Sequence, residues 1–327
     1  MTAATAADLR AQLSDLRDRL ETTINDAPEE AHLRRLLREV DTALGRIGTP
    51  AYGVCEECHD EIGREQIASD PLARYCLGCL TPKELTALER DLGRTRELQG
   101  GLLPRLDLRA SGWAFEYHYE PAGAVGGDFC DLIPLETGDT LFLLGDVSGK
   151  GIASSVLMAH LRAIFHSLSA LNLPAPELVG RANRVFCDFT MSVYFATLVV
   201  GLARRDGRVE LVNAGHCPPL HFRRDGTIAS VDATGLPVGM FRGERYEAVR
   251  LELAEGDGLF LYTDGLSEAR DALESEYGCE RVARLIAADC ARDPRTLVTR
   301  CLADLSDFRG TQTERTDDLT VMVMTRL

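Results

Sequence analysis

Four aspartate-bearing stretches carry the residues best suited to chemistry: "GGDFCD" (Gly126–Asp131), "GDVSG" (Gly145–Gly149), "YTDG" (Tyr262–Gly265) and "TDDLT" (Thr316–Thr320). Three adjoin apolar runs. "LFLLGD" ends on Asp146, "LFLYTD" ends on Asp264, and "DDLTVMVM" begins at Asp317. Carboxylates at the strand ends of packed sheets can converge on one rim, where they repel unless cations lie between them. Hard oxygen ligands select Mg2+ or Mn2+. The glycines allow tight turns and let backbone carbonyls reach the same ions. Each aspartate alone also suits a turn or a cap. Three at strand ends, with a fourth flanked by glycines, point together to a divalent-metal site.

The loop "GDVSGKG" (Gly145–Gly151) has a glycine-rich look but the wrong spacing for a phosphate cradle. The pattern G-x-x-x-x-G-K-[ST] places its glycines one residue further apart, and Gly151 stands where Ser or Thr is needed. Asp146 is therefore the informative residue, with Lys150 either near a bound phosphate or on a solvated surface.

A second chemistry is written between Cys55 and Cys79, "CEECHDEIGREQIASDPLARYCLGC". Two CxxC pairs at this separation can place four thiolates around one ion, and four soft sulfurs select Zn2+. Cys55, Cys58, Cys76 and Cys79 fill the tetrahedron, which leaves His59 as a surface residue. The other six cysteines, Cys130, Cys187, Cys217, Cys279, Cys290 and Cys301, have no motif spacing.

The elements that must position these residues fall into two kinds. Residues 7–46 carry two helical stripes: Leu9, Leu13, Leu16 and Leu20, then Leu33, Leu36, Leu37, Val40 and Leu44. Pro28 opens the second helix. The pair reads as an antiparallel hairpin or a dimerising coiled coil. "PKELTALERDLGRTRELQG" (Pro82–Gly100) has a thin stripe of Leu85, Leu88, Leu92 and Leu98, as a linker helix or coiled coil would. From about residue 110 strands alternate with helices. Strands are expected at 114–119, 140–144, 196–202, 209–213, 259–263 and 319–324, and helices at 152–171, 175–188, 281–291 and 294–308. "RRDGR" (Arg204–Arg208) and "RRDG" (Arg223–Gly226) read as hairpin turns. Hairpins with long helices indicate an α+β fold with antiparallel sheets.

Composition sets the outer bounds. The 327 residues carry a net charge of −15, which disfavours direct DNA binding. No apolar run is long enough to span a membrane, and the first twenty residues lack the apolar core of a secretory signal. A cytoplasmic protein with free thiols is expected.

Two resemblances sharpen these readings. "ALGRIGTPAYGVCEECHDEIGREQIASDPLARYCLGC" resembles the DksA/TraR-type zinc finger, which also follows a helical hairpin. Some members of that family act on RNA polymerase through the hairpin tip. The tip here, "INDAPEEAH", carries no clear copy of their acidic motif, so a module that docks or senses is the reading. "PAGAVGGDFCDLIPL", "LLGDVSGKGIASSVLMAHLRA", "VNAGHCPPL", "GLPVGM", "LFLYTDGLSEAR" and "RTDDLTVMVM" resemble, in order, the SpoIIE/RsbU-type branch of the protein phosphatase 2C superfamily. That resemblance implies an α-β-β-α sandwich and metal-dependent Ser/Thr phosphatase activity. It implies two Mn2+ or Mg2+ ions held by Asp128, Asp146, the Val147 carbonyl, Asp264 and Asp317. Asp318 would act on a metal-bound water, and Asp131 would stand one shell further out. An aromatic residue often stands in that family where this chain has Cys130. His216 in "NAGHCPP" is a candidate general acid or a structural turn residue; His160 and His166 are packing or surface residues.

The expected organisation is a helical hairpin over 1–49, a four-cysteine zinc finger over 50–80, a linker helix over 81–104 and a phosphatase domain over 105–327. The resemblance implies a small phosphorylated anti-sigma-factor antagonist as substrate, and a homodimer formed through the linker helix, which couples the zinc module to catalysis. The rival reading is a zinc-finger protein that binds a transcription complex and uses the phosphatase fold as a non-catalytic scaffold.

Overall fold

The computed structural model describes residues 3–26, 31–49, 51–79, 82–104, 108–190, 194–289, 293–310 and 316–327. The hairpin tip at Pro28, Cys290, and the side chains of Leu33, Leu85 and Leu88 lie outside the described residues. The chain forms two compact units, one up to Leu92 and one from Gly93.

In the first unit, α1 (Ala3–Asp26) and α2 (Ala31–Arg46) lie against each other as a hairpin within one chain. Leu9, Leu13 and Leu20 of α1 are buried with Val40 and Ala43 of α2, and with Cys55, Ile62 and Ile67 of the cysteine segment. The short α3 (Arg64–Ser69) supplies Ile67. The stripe therefore serves as the core of a hairpin on which the cysteine module rests. Arg10 adds a bond to the Ile47 carbonyl at 3.0 Å, and Arg17 lies 3.2 Å from Asp41.

The helix α4 (Pro82–Leu102) runs from the first unit into the second. Leu98 of the thin stripe is 73% exposed, in keeping with a linker helix or coiled coil, and its neighbour Gln99 is buried at 5%. A thin stripe among charges gives too little apolar contrast to fix the buried face; a polar contact decides it instead.

The second unit holds two antiparallel sheets. One orders β1 (Leu108–Ala110), β2 (Trp113–Glu120), β11 (Leu319–Arg326), β10 (Gly258–Tyr262), β7 (Leu220–Phe222) and β8 (Ile228–Ser230). The other orders β3 (Phe129–Pro134), β4 (Thr140–Val147), β5 (Ala196–Ala203), β6 (Arg208–Ala214) and β9 (Val249–Glu252). Both expected turns join strands: Gly207 closes β5–β6 and Gly226 closes β7–β8, each with positive φ.

Alternation along the strands explains the layers. In β4, Leu141 and Leu143 face α5 (Ile152–Ser169) and α6 (Ala175–Phe189), whereas Phe142 and Leu144 join the core between the sheets. In β10, Leu259 and Leu261 enter that same inter-sheet core. Phe260 and Tyr262 turn out toward α8 (Cys279–Asp289) and α9 (Pro294–Arg309). In β11, Met322 and Met324 point inward while Val321 and Val323 point to the helices. The result is an α-β-β-α sandwich.

The strand β3 escapes the periodicity because its sequence, "FCDLIP", carries an acid where an apolar residue is expected. Phe129 and Ile133 face the helices, and Asp131 shares that side. Arg162 and His166 of α5 reach it, at 2.8 and 2.6 Å. Asp131 thus points away from the inter-sheet core that holds Cys130 and Leu132, and its role is to tie β3 to α5. His166, expected to pack or lie at the surface, is exposed and brings its Nε2 within 2.6 Å of Asp131 Oδ2.

On the other face, Asp304 of α9 accepts from Arg281 of α8 at 2.7 Å and from Tyr277 at 2.6 Å. The Arg281 hydrogen bond, followed by that from Tyr277, holds the Asp304 carboxyl below its usual range. A depressed carboxylate stabilises the fold above its unfolded pKa and loses that contribution as pH falls through the folded value. The deficit of Asp304→Asn against wild type is expected to be full at pH 7 and to shrink below about pH 4, as read from urea midpoints across pH.

Candidate active site

The inter-sheet core ends in acids. Asp128 has the same strand parity as Cys130 and Leu132, and Asp146 the same as Phe142 and Leu144, so both carboxylates leave their strands between the sheets. From the facing sheet, Thr263 and Thr320 enter the same space and are fully buried. Their hydroxyls donate to one oxygen of Asp128, Oδ2, at 2.8 and 2.6 Å. Asp128 is itself 1% exposed. Burial, then the charge of Asp146, pushes its carboxyl well above the usual range, against the two hydroxyls.

The remaining acids complete the rim. Burial, then Asp264, Asp317 and Asp318, pushes Asp146 up to about 7. Asp264 opens the short α7 (Asp264–Ser267) directly after β10. It too is raised, first by burial and next by Asp317. Asp317 is half exposed, and Lys150 stands 3.6 Å from it while donating to the Thr316 carbonyl. These acids therefore share one local field from four segments of chain.

Asp318 behaves differently from its neighbour. Its Oδ1 accepts from the Ala122 amide at 2.8 Å, and its Oδ2 from the Gly127 amide at 2.7 Å and the Asp128 amide at 3.4 Å. It clamps the loop that carries Asp128. The Val147 carbonyl faces the same loop: a Cβ on Gly127 would meet it at 2.5 Å and Asp146 Oδ1 at 3.2 Å. Gly265 is equally confined, since a Cβ there would lie 1.8 Å from the Asp318 carbonyl oxygen.

Gln99 is a residue that sequence reasoning missed. Its amide donates to the Gly126 carbonyl at 2.7 Å and accepts from the Gly126 N–H at 3.2 Å. The helix α4 is thereby bonded to the residue two before Asp128. A glutamine in a charged helix gives no signal in periodicity.

A cleft of about 180 Å³ opens at this rim, lined by Asp264, Gly265 and Asp317 together with Arg270, Glu274 and Arg309.

Residues 136–327 match the family model of stage II sporulation protein E (SpoIIE). The chain belongs to the SpoIIE family. It is 25% identical over 211 residues to the phosphoserine phosphatase RsbU of Bacillus subtilis, covering 63% of this chain and 61% of that one. A solved structure of the RsbU and RsbW domains of a Mycobacterium tuberculosis protein is similar with a TM-score of 0.57 and 26% identity, covering 68% and 62% of the two chains. The N-terminal part is 31% identical over 52 residues to the RNA polymerase-binding transcription factor DksA of Haemophilus influenzae, covering 16% of this chain and 36% of that one. The chain spans between about a third and three fifths of the length of the first curated relatives it matches.

Within the SpoIIE-family fold, His216 sits away from solvent, and its turn is held by Asn213. The Asn213 side chain accepts from the His216 amide at 2.8 Å and donates to its carbonyl at 3.2 Å. His216 Nδ1 lies 2.8 Å from the Thr197 hydroxyl. Burial lowers its pKa to about 4, so the ring is neutral near pH 7. His160 packs on Phe186 and Phe189. Nine of the ten cysteines are described, and all nine are free thiols.

In the first unit, the Sγ atoms of Cys55, Cys58, Cys76 and Cys79 lie within 4.8 Å of one another, with Cys58 and Cys76 3.6 Å apart. A Zn–S bond of about 2.3 Å gives a tetrahedral edge near 3.8 Å, so the four thiols fit zinc. His59, exposed with φ of 61°, belongs to the knuckle's turn. The N–H groups of Cys58 and Cys76 pull the Cys55 thiol down, while hydrogen bonds with the neighbouring thiols push Cys79 up. Elemental analysis is expected to find one zinc per chain, and Cys58→Ser is expected to lose it. Because metal binding supplies folding energy in such modules, the variant should also lose helical CD signal from the first unit.

Proposed function

We propose that this SpoIIE-family chain is a metal-dependent phosphatase that hydrolyses phosphoserine or phosphothreonine on a protein, the substrate being an anti-sigma-factor antagonist. The convergence of Asp128, Asp146, Asp264 and Asp317 at one end of the inter-sheet core carries the reading. An acid cluster with its inner members buried and exposed Lys150 at its edge is electrostatically unfavourable by itself and becomes favourable around cations. The similarity to RsbU supports the substrate class. The complete acid set argues against a scaffold that has lost its chemistry.

The ion ligands in this proposal are Asp128, Asp146, the Val147 carbonyl, Asp264 and Asp317, which hold two Mn2+ or Mg2+ ions. Bound there, the pair supplies Lewis acidity toward phosphoryl oxygens and lowers the pKa of water. The protein's part is positioning. Thr263 and Thr320 fix one oxygen of Asp128 and so aim the other. Asp318, with both oxygens engaged by backbone amides, holds the loop rather than an ion. Lys150 screens Asp317 at the open edge. No cysteine is needed as nucleophile.

The zinc module is the regulatory part and α4 the coupling element, acting through the Gln99–Gly126 contact, with exposed Leu98 available to a second α4 in a homodimer.

Mn2+-dependent hydrolysis of p-nitrophenyl phosphate is expected from the full chain. Asp146→Asn should lower it at least about a hundredfold, and Thr320→Val should raise the Mn2+ concentration for half-activation about tenfold. Full activity in Asp146→Asn would sink the phosphatase reading. A chain lacking residues 1–80 should keep p-nitrophenyl phosphate turnover but change in oligomeric state or in regulation of turnover. If sizing and kinetics match the full chain, the coupling role of the N-terminal unit is wrong.

A further inference from the structure

Beside the acid rim stands a small hairpin, Arg270 to Glu276, that neither the metal chemistry nor the core requires. Its ends pair in an antiparallel bridge between Arg270 and Glu276. Its turn is tied by Asp271, whose carboxylate accepts from the Leu273 amide at 2.8 Å and the Ser275 amide at 2.9 Å. The Arg270 guanidinium reaches back to Glu276 at 3.1 Å and Glu274 at 3.4 Å. Tyr277, at the base, is 3% exposed and packs with the α8–α9 layer. The hairpin is therefore bonded along its length and anchored at its foot.

What this built element presents is Leu273, 85% exposed, the most exposed large apolar side chain among the described residues. Leaving a leucine in water forgoes stabilisation that burial would give, and nothing in the hairpin's hydrogen bonding needs an apolar group there. The residues on either side of it in the hairpin, Arg270 and Glu274, line the same cleft as Asp264 and Asp317. A protein whose phosphorylated residue reaches those aspartates must run past the hairpin.

We propose that Leu273 is a specificity-determining residue: the 270–276 hairpin grips the body of the phosphoprotein substrate, and Leu273 is buried in an apolar spot on it. The inference rests on the phosphatase reading above. It predicts a division between substrates. A small aryl phosphate fits the cleft without touching the hairpin tip, whereas a folded phosphoprotein covers it. Burying one leucine in an interface corresponds to roughly tenfold or more in affinity.

The test uses the full Mn2+-loaded chain with two probes, p-nitrophenyl phosphate and the phosphoserine form of an anti-sigma-factor antagonist. Leu273→Asp is expected to raise KM for the phosphoprotein at least tenfold, with kcat and all p-nitrophenyl phosphate kinetics unchanged. Leu273→Met should stay close to wild type. An unchanged phosphoprotein KM in Leu273→Asp overturns the proposal. An equal loss on both probes also overturns it, because the hairpin would then be shaping the metal site. A wild-type chain without Mn2+-dependent turnover of p-nitrophenyl phosphate is a separate result, which removes the phosphatase reading itself.

Discussion

The structure is organised around one carboxylate in an unfavourable place. Asp128 lies between two sheets, where desolvation disfavours its charge and Asp146 repels it. Two threonine hydroxyls from the facing sheet partly compensate, both on a single oxygen. That contact joins the sheets at the end where apolar packing stops. Phe142, Leu144, Leu261 and Met322 hold the sheets together from within; Asp128, Thr263 and Thr320 register them at the rim. If β3 slipped its pairing with β4 by one residue, strand parity would turn Asp128 away from Asp146. Fold and site are thus set by the same alternation.

The backbone around the rim is held as tightly as the side chains. Asp318 spends its carboxylate on three amides of the opposite loop, and its carbonyl presses on Gly265. Adjacent acids therefore do different work. Asp317 stays half exposed beside Lys150, while Asp318 fastens the Asp128 loop. A pair written "DD" in sequence separates into one residue facing the cleft and one facing the chain.

Much of this was legible beforehand, for identifiable reasons. The strands β4, β10 and β11 announce themselves through long apolar runs that end or begin in acids, and the two Asp-Gly turns mark the β5–β6 and β7–β8 hairpins. The cysteine spacing alone anticipates four sulfurs close enough for one ion. What stayed hidden depends on contacts across the fold. The resemblance puts Asp131 just beyond the metal ligands, yet three steps from Asp128 along a strand send it to the opposite face, to Arg162 and His166. In α4 the buried residue is Gln99, a polar side chain that no apolar stripe could mark. Short strands such as β7, β8 and β9 carry too few residues for a period to show.

The Gln99–Gly126 contact has a further consequence. One primary amide satisfies both the N–H and the C=O of one glycine, so it works only at a single helical register. A screw displacement of α4 by one residue would offer Leu98 or Gly100 to Gly126, and neither side chain can exchange a hydrogen bond. Small bending of the helix leaves both bonds in place; a one-residue slip removes both together. A one-residue displacement of α4, if it occurred, would therefore act on the loop of Asp128 as a digit rather than as a dial.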